Sequence, residues 1–352
     1  MEIGIPKEIK TLEGRVALTP KAVKELTSRS HHVFIEQKAG LLSGYPDTDY
    51  INAGATVVDT AEEVFHHARL VVKVKEPQAS ELALLRDDHI LFSYLHLAAA
   101  PGLTGELVKI GLTAVAFETV AEGRKLPLLA PMSDIAGRIA IQVGTHLLHQ
   151  PQGGRGILLG GGGLANTEKG QVVILGGGIA GTGATHVASA LGANVLVFEP
   201  NIDKQEQLMA INENITACSP SDEAIDRAVK NADLLIGAVL IPGAKAPHLV
   251  SAEQVKSMKA GSVVIDISVD QGGCIETTRP TTYENPTFIW EGVIHFGVTN
   301  MPGAVPRTAT QALSEALLPY VLEICESDWQ ANEALASGIN VQNGQIILPT
   351  LR

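Results

Sequence analysis

The stretch Gln171–Pro200, QVVILGGGIAGTGATHVASALGANVLVFEP, admits few folds. Val172, Val173, Ile174 and Leu175 form a short, mainly β-branched run, as expected of a strand buried on both faces. Gly176, Gly178 and Gly181 then give G-x-G-x-x-G. The first glycine permits a tight turn, the second lets backbone approach a pyrophosphate, and the third lets helix pack on strand. Ile179 to Leu191 reads as an Ala-rich helix whose N-terminal N–H groups face the phosphates. Asn194 to Phe198 is the next strand, and Glu199 closes it about 20 residues past the turn. A carboxylate there can accept both ribose hydroxyls of NAD and would repel the 2′-phosphate of NADP. The alternative is a turn of the same shape that only packs. Glu199 weighs against it, because an acid ending a strand has no evident packing role.

The chain has 352 residues, enough for two domains that each bury a core. Its hydrophobic content of 45% with 18% charged residues is that of a soluble globular protein. A formal charge of −12 argues against nucleic acid or an anionic membrane as partner. Cys218, Cys274 and Cys325 lie far apart with no C-x-x-C pair, so neither a disulfide framework nor a thiolate metal site is expected. The opening MEIGIPKEIK holds no signal-peptide run and no stretch reaches the length of a membrane span, so a cytoplasmic protein is expected.

Strand candidates at 3–5, 32–36, 70–74, 90–95 and 113–117 alternate with helical patterns at 20–28, 61–67, 79–85 and 103–110. Such alternation means a parallel sheet covered on both faces. Near Ala130 the chain crosses into a second domain through APMSDIAGRIAIQVGTHLL, with Ser133 at an N-cap position. The run Gly160–Gly163 lacks the Lys-Ser/Thr ending of a P-loop and reads as a flexible lead-in. A last long helix, roughly 308–326, carries the chain back to the first domain. The expected fold is α/β, with two Rossmann-like doubly wound parallel-sheet domains and the active site in the cleft between them. Residues 1–129 plus 307–352 would form the substrate domain and 130–306 the NAD-binding domain.

Ligands in open α/β sheets bind beyond the carboxyl ends of the strands. Asp270 follows the strand SVVIDIS and could serve as acid/base or charge balance, or could merely cap a turn. His96 ends ILFSYLH, and imidazole suits proton transfer near neutral pH. It is one of eleven histidines. Lys75 ends LVVKVK, but Lys73 lies on the same strand face and could equally be chosen. Arg15, in the loop after the first strand, offers a forked partner for a substrate carboxylate, although surface arginines are ordinary. These residues alone indicate an NAD-dependent oxidoreductase of unassigned substrate.

Taken together, the chain resembles the alanine dehydrogenase family. The resemblance rests on IGIPKEIK…EGRVALTP, VVKVKEP, SYLHLA, APMSDIAGR, GGGIAG, IGAVLIPGAKAPHLV, VVIDISVDQGGCIETTRPTTYENPTF and VTNMPGAVPRTAT. It implies reversible oxidative deamination of L-alanine to pyruvate, ammonium and NADH. Arg15 and Lys75 would then bind pyruvate, and His96 and Asp270 would be the acid/base pair. Ser133 would meet the cofactor diphosphate and Glu199 the adenosine ribose. Ile179, Lys204, Ser219, Val239, Leu240, Ile267, Asp270, Arg279, Val298 and Met301 fall on cofactor-contacting stretches. The resemblance also implies a homo-oligomer, commonly a homohexamer, and no metal. Departures from the family include Glu199, which stands where aspartate is common, and the Gly160–Gly170 connection, which is longer and more glycine-rich. The competing readings are an NAD(H)-binding subunit of a transhydrogenase, a silent NAD-binding protein, and a dehydrogenase of another small amino acid.

Overall fold

Short apolar runs build two sheets in a computed structural model that describes residues 1–163, 166–239 and 247–351. The strands are β1 (Glu2–Ile5), β2 (His32–Glu36), β3 (Thr56–Val58), β4 (Leu70–Val72), β5 (Ile90–Ser93) and β6 (Thr113–Ala116). Then come β7 (Gln171–Leu175), β8 (Asn194–Phe198), β9 (Ile215–Cys218), β10 (Leu234–Gly237), β11 (Val263–Asp266), β12 (Thr287–Trp290) and β13 (Val293–Phe296). The last are β14 (Ile339–Gln342) and β15 (Gln345–Ile346). Contacts divide the chain into two units, Met1–Met132 with Gly303–Arg352, and Ser133–Pro302.

The first unit's sheet runs β15-β14-β6-β5-β4-β1-β2-β3. Its six central strands are parallel, and β14 and β15 add antiparallel pairs at one edge. The second unit's sheet runs β12-β13-β11-β10-β7-β8-β9, antiparallel only between β12 and β13. Numbered within its own unit, each parallel core has the order 3-2-1-4-5-6, that of the doubly wound dinucleotide-binding fold. The strand order reverses between β1 and β4 in one unit and between β7 and β10 in the other, and a crevice forms at such a switch point. Ile3, Ile5, Leu70, Val71 and Leu91 in one sheet, and Val172, Ile174, Leu235 and Ile265 in the other, are fully buried. Each contributes about 1.5–3 kcal/mol.

Several boundaries differ from the sequence reading. β4 stops at Val72 and β5 at Ser93; the Lys73 and Tyr94 N–H groups still donate to the Phe92 and Val74 carbonyls, and carboxylates take the N–H groups beyond them. Glu8 accepts from Val74 and Lys75. Glu118 accepts from Leu95 and His96. The long helix spans Ala130–Leu147, so Ser133 lies inside its first turns and is not an N-cap. Pro131 explains the earlier start, since the first turn needs no N–H from it. The glycines before β7 pack: a Cβ on Gly160 would strike the Leu191 carbonyl, and the Gly170 N–H donates to the Leu159 carbonyl. β3, β9, the β12–β13 hairpin and β14–β15 have no counterpart in the sequence reading. β3 and β12 are short edge strands with exposed and half-exposed positions.

His89 shows how one titratable group is locked into the first unit. Its ring is 1% exposed, Nδ1 accepts from the Arg86 N–H at 3.0 Å, and Nε2 donates to the Phe65 carbonyl at 3.0 Å. Burial, then the charge of Arg86, push the imidazole below its ordinary 6.5. The neutral form is therefore the folded form. Its stabilising share is present above the unfolded pKa of about 6.5 and is lost as pH falls toward the lower folded value. Denaturation midpoints should fall between pH 7.5 and 5.5, and His89→Gln should flatten that dependence. An unchanged slope in the variant would remove His89 from the account.

Candidate functional site

The glycine turn of the second unit is built by close approach. Gly176 sits at φ +99°, a conformation that L side chains rarely adopt. A Cβ on Gly181 would run into the Gly176 carbonyl oxygen, so the helix Ile179–Ala190 can pack on β7 only with glycine there. At Gly178 a Cβ would meet nothing within 4 Å. No side chain caps the helix that starts after Gly178, so its first N–H groups face that open space. This is a cradle for a pyrophosphate. The helix Ala130–Leu147 lies against the same turn, since Cβ atoms on Gly137 and Gly183 would strike the Ala180 and Asp134 carbonyls. Ser133 is thereby carried on the element that flanks the cradle.

Glu199 is 6% exposed. Its Oε2 accepts from the Gly177 N–H at 3.0 Å and its Oε1 from the Asn201 N–H at 3.0 Å. The acid thus has a structural role after all, tying the turn to the end of β8, which corrects the sequence argument. A carboxylate offers about four acceptor positions, so ribose hydroxyls can still be met. Gln205 links the Glu199 carbonyl at 2.6 Å to the Ser219 hydroxyl at 3.1 Å. Across the switch point, Val239 reaches the Gly176 turn, and the Ser268 hydroxyl donates to the Val239 carbonyl at 2.7 Å.

Ile267 and the exposed Asp270 sit in the 3-10 turn Ile267–Gln271 that follows β11. The cap of that turn is Asp266, not Asp270. The buried Asp266 carboxylate accepts from the N–H groups of Ser268 at 2.9 Å, Cys274 at 2.8 Å and Ile275 at 3.1 Å. Other expected contacts fall elsewhere. Lys204 is exposed, with its N–H on Asn201. The guanidinium of Arg279 lies 4.4 Å over the Phe288 ring. Val298 bridges to Thr281, and the Met301 carbonyl accepts from the Tyr283 hydroxyl at 2.8 Å. Among the described residues no hydrogen bond or ion pair ties these four to the glycine turn. Leu240 lies outside the described residues.

In the first unit, Arg15 follows β1 and the Lys73–Lys75 segment follows β4, so both loops leave the switch point. Arg15 is 2% exposed and not a surface residue. Its Nε and Nη2 donate to the two oxygens of Glu13 at 2.7 and 2.5 Å, and Nη1 faces the Met132 sulfur at 3.2 Å. The helix Pro306–Ile324 pins this loop, with Thr310 accepting from Val16 and Ser314 from Thr19. Burial acts to raise the Glu13 carboxyl, but the hydrogen bonds and charge of Arg15 outweigh it and hold the group below its usual range.

The structure also separates the two lysines. Lys73 is 1% exposed and its ammonium is clamped by Glu8 at 3.2 Å, Glu81 at 3.3 Å and the Lys75 carbonyl at 3.1 Å. Among the described residues no hydrogen bond or ion pair engages the Lys75 ammonium. Burial, then the charge of Arg15, push Lys75 below its ordinary 10.5. Lys75 is the lysine available to a ligand.

His96 is not at a strand end but three residues past β5, at φ 49° and ψ 39°. A non-glycine residue in that left-handed region costs about 1–2 kcal/mol. Its N–H donates to Glu118 at 2.5 Å, and its ring stacks on the Tyr94 ring at 6.0 Å and 9°. Tyr94, 3% exposed, donates to the Leu128 carbonyl at 2.6 Å, and burial pushes its phenol up. Sequence reasoning missed Glu8, Glu13, Tyr94, Glu118 and Asp266. The only signal was an acid or tyrosine beside a strand end.

The cradle can be tested by contrast. Gly178→Ala should leave thermal stability within a few degrees while weakening a dinucleotide at least about tenfold, because its new methyl enters the ligand space. Gly181→Ala should lower stability itself, by about 1–3 kcal/mol of overpacking. Equal effects of the two on cofactor titration and denaturation would contradict this division.

Comparison with known proteins identifies the family. Residues 4–136 match the family model "Alanine dehydrogenase/PNT, N-terminal domain", and residues 140–349 match the corresponding C-terminal domain. Alanine dehydrogenase from Methanococcus maripaludis is 49% identical over 353 residues, covering 98% of this chain and 94% of its own. A solved L-alanine dehydrogenase aligns with a TM-score of 0.95 at 48% identity, over 100% of this chain and 98% of that one. A transhydrogenase from Sinorhizobium meliloti aligns with a TM-score of 0.86 at 25% identity, over 99% of each. No helix among the described residues is long and apolar enough to cross a membrane. Family and fold together imply a nicotinamide cofactor, and the chain belongs to the alanine dehydrogenase family.

Proposed function

We propose that this chain catalyses the reversible NAD-dependent oxidative deamination of L-alanine to pyruvate and ammonium. One observation carries the role assignment. The switch point of the first unit presents a buried arginine and an unclamped buried lysine, with His96 one strand away. Those are the groups a small 2-oxoacid requires. By the same resemblance we propose a cytoplasmic homohexamer.

In the amination direction, Arg15, with its Nε–Nη2 fork held by Glu13, contributes its positive charge to orienting the pyruvate carboxylate. Lys75 polarises the C2 oxygen, which gathers charge as ammonia attacks. Its lowered pKa makes it a readier proton donor than an ordinary lysine. His96 moves the protons that let the C2 oxygen leave as water once the C–N bond has formed, so that hydride can reach C2, and Asp270 balances charge on the amine. Glu199 accepts the ribose hydroxyls and disfavours a 2′-phosphate, which supports NAD over NADP. The nicotinamide, when bound, supplies or takes up hydride. A substrate methyl leaves little for specificity to grip, so neighbouring small oxoacids should react more slowly rather than fail.

NADH absorbance should fall only when pyruvate and ammonium are both present. Oxidation with pyruvate alone would indicate a hydroxyacid dehydrogenase, and silence with intact NADH binding would favour a transhydrogenase-like role. His96→Ala should keep NADH affinity within about twofold and lose about 10²–10⁴-fold in turnover. Pyruvate affinity should weaken on the alkaline side with an apparent pKa below 10.5, where the Lys75 ammonium is lost. Lys75→Met should bind weakly at every pH, and an alkaline limb surviving in that variant would exclude Lys75.

A further inference from the structure

Glu118 lies in the 3-10 turn Phe117–Thr119 just after β6, which pairs with β5 through Ser93 and Ala116. The two strand ends are therefore neighbours. Both Glu118 oxygens face the Leu95 N–H, at 3.2 and 3.3 Å, and Oε1 also accepts from the His96 N–H at 2.5 Å. Successive backbone N–H groups around a left-handed residue form a concavity suited to an anion. Here the protein's own carboxylate fills it. The same Oε1 stands 4.0 Å from the His96 Nδ1. The Glu118 side chain is 17% exposed and that of His96 is 46% exposed, so the carboxylate sits behind an imidazole that opens outward.

Resting on the reading of His96 as the acid/base group, we infer that Glu118 is its positioning residue. It stabilises the left-handed backbone that presents the ring. It also faces the Nδ1 side of the ring at 4.0 Å, leaving Nε2 to exchange a proton with the substrate. When Nε2 takes a proton, the imidazolium charge develops opposite the carboxylate, and when it gives that proton up the neutral tautomer is restored. This is the arrangement in which a base is oriented by a third group. The stacked Tyr94 ring limits the imidazole from another side. Glu118 touches no reacting atom.

The experiment uses the full-length enzyme and compares Glu118→Gln, Glu118→Asp, His96→Ala and the Glu118→Gln/His96→Ala double variant. Glu118→Gln keeps an acceptor for the backbone N–H groups but removes the charge. Its kcat should fall about 10- to 100-fold, with pyruvate KM and NADH affinity within about threefold. Glu118→Asp, which keeps the carboxylate, should recover part of that loss. In the double variant Glu118→Gln should add nothing to His96→Ala, because both act through one ring. A drop that multiplies across the double variant, or a Glu118→Gln enzyme with wild-type kcat beside an inactive His96→Ala, overturns the inference and leaves the role of His96 standing. A near-normal His96→Ala overturns the underlying reading instead. Should Glu118→Gln fail to bind NADH, Glu118→Asp decides: a folded Asp variant with wild-type KM must show the reduced kcat, and equal losses in both parameters mean a role in folding alone.

Discussion

A residue or two beyond several of the parallel strands the ladder of carbonyls runs out, and carboxylates take the backbone N–H groups there. Glu8 holds the segment after β4. Glu118 holds the segment after β5. Glu13 accepts from the N–H of Arg15, Glu199 from the glycine turn after β7, and Asp266 from three N–H groups after β11. Each charge-assisted hydrogen bond contributes about 1.5–3 kcal/mol. That offsets a real cost, for burial is the largest influence on both Glu8 and Asp266 and leaves their carboxyls above the usual range. The catalytic candidates Arg15, Lys75, His96 and Asp270 all sit on backbone fixed in this way.

This constraint explains why side chains with similar sequence settings differ in chemistry. Lys73 and Lys75 lie two residues apart just past β4, yet the Glu8–Lys73–Glu81 cluster consumes one ammonium as structure. Removing a partner from such a buried cluster costs far more than the pair itself contributes, so Lys73 is committed. Lys75 keeps its ammonium for a ligand and feels the charge of Arg15. His96 carries backbone strain that only a surrounding lattice of hydrogen bonds sustains. The active-site geometry is therefore a property of the strand-end loops and their acids, while the sheets supply the order in which those loops meet.

Local features of the fold were legible in the sequence. β7, its glycine turn, the following helix, β8 and Glu199 form one continuous stretch, so periodicity and glycine spacing sufficed. The alternating pattern of the first unit was equally plain. What the sequence withheld depends on partners distant in the chain. Glu8 lies 65 residues from Lys73, and Glu118 lies 22 from His96, so neither pairing leaves a local signature. The edge strand β12 spans only four residues and is half exposed despite its apolar Phe288–Trp290, so its pairing depends on β13. Ser133 was misplaced as a cap because the tolerance of a first helical turn for Pro131 outweighed the serine signal. Arg15 was identifiable by type, but its burial against Glu13 was not.

The central proposal is that this chain joins ammonia and hydride to one carbon of pyruvate. Reacting pyruvate with ¹⁵N-ammonium and NADH deuterated at nicotinamide C4, then analysing the product by mass spectrometry and NMR, tests this directly. The account predicts alanine carrying ¹⁵N and one deuterium at C2. Deuterated lactate, or alanine without deuterium at C2, would contradict it.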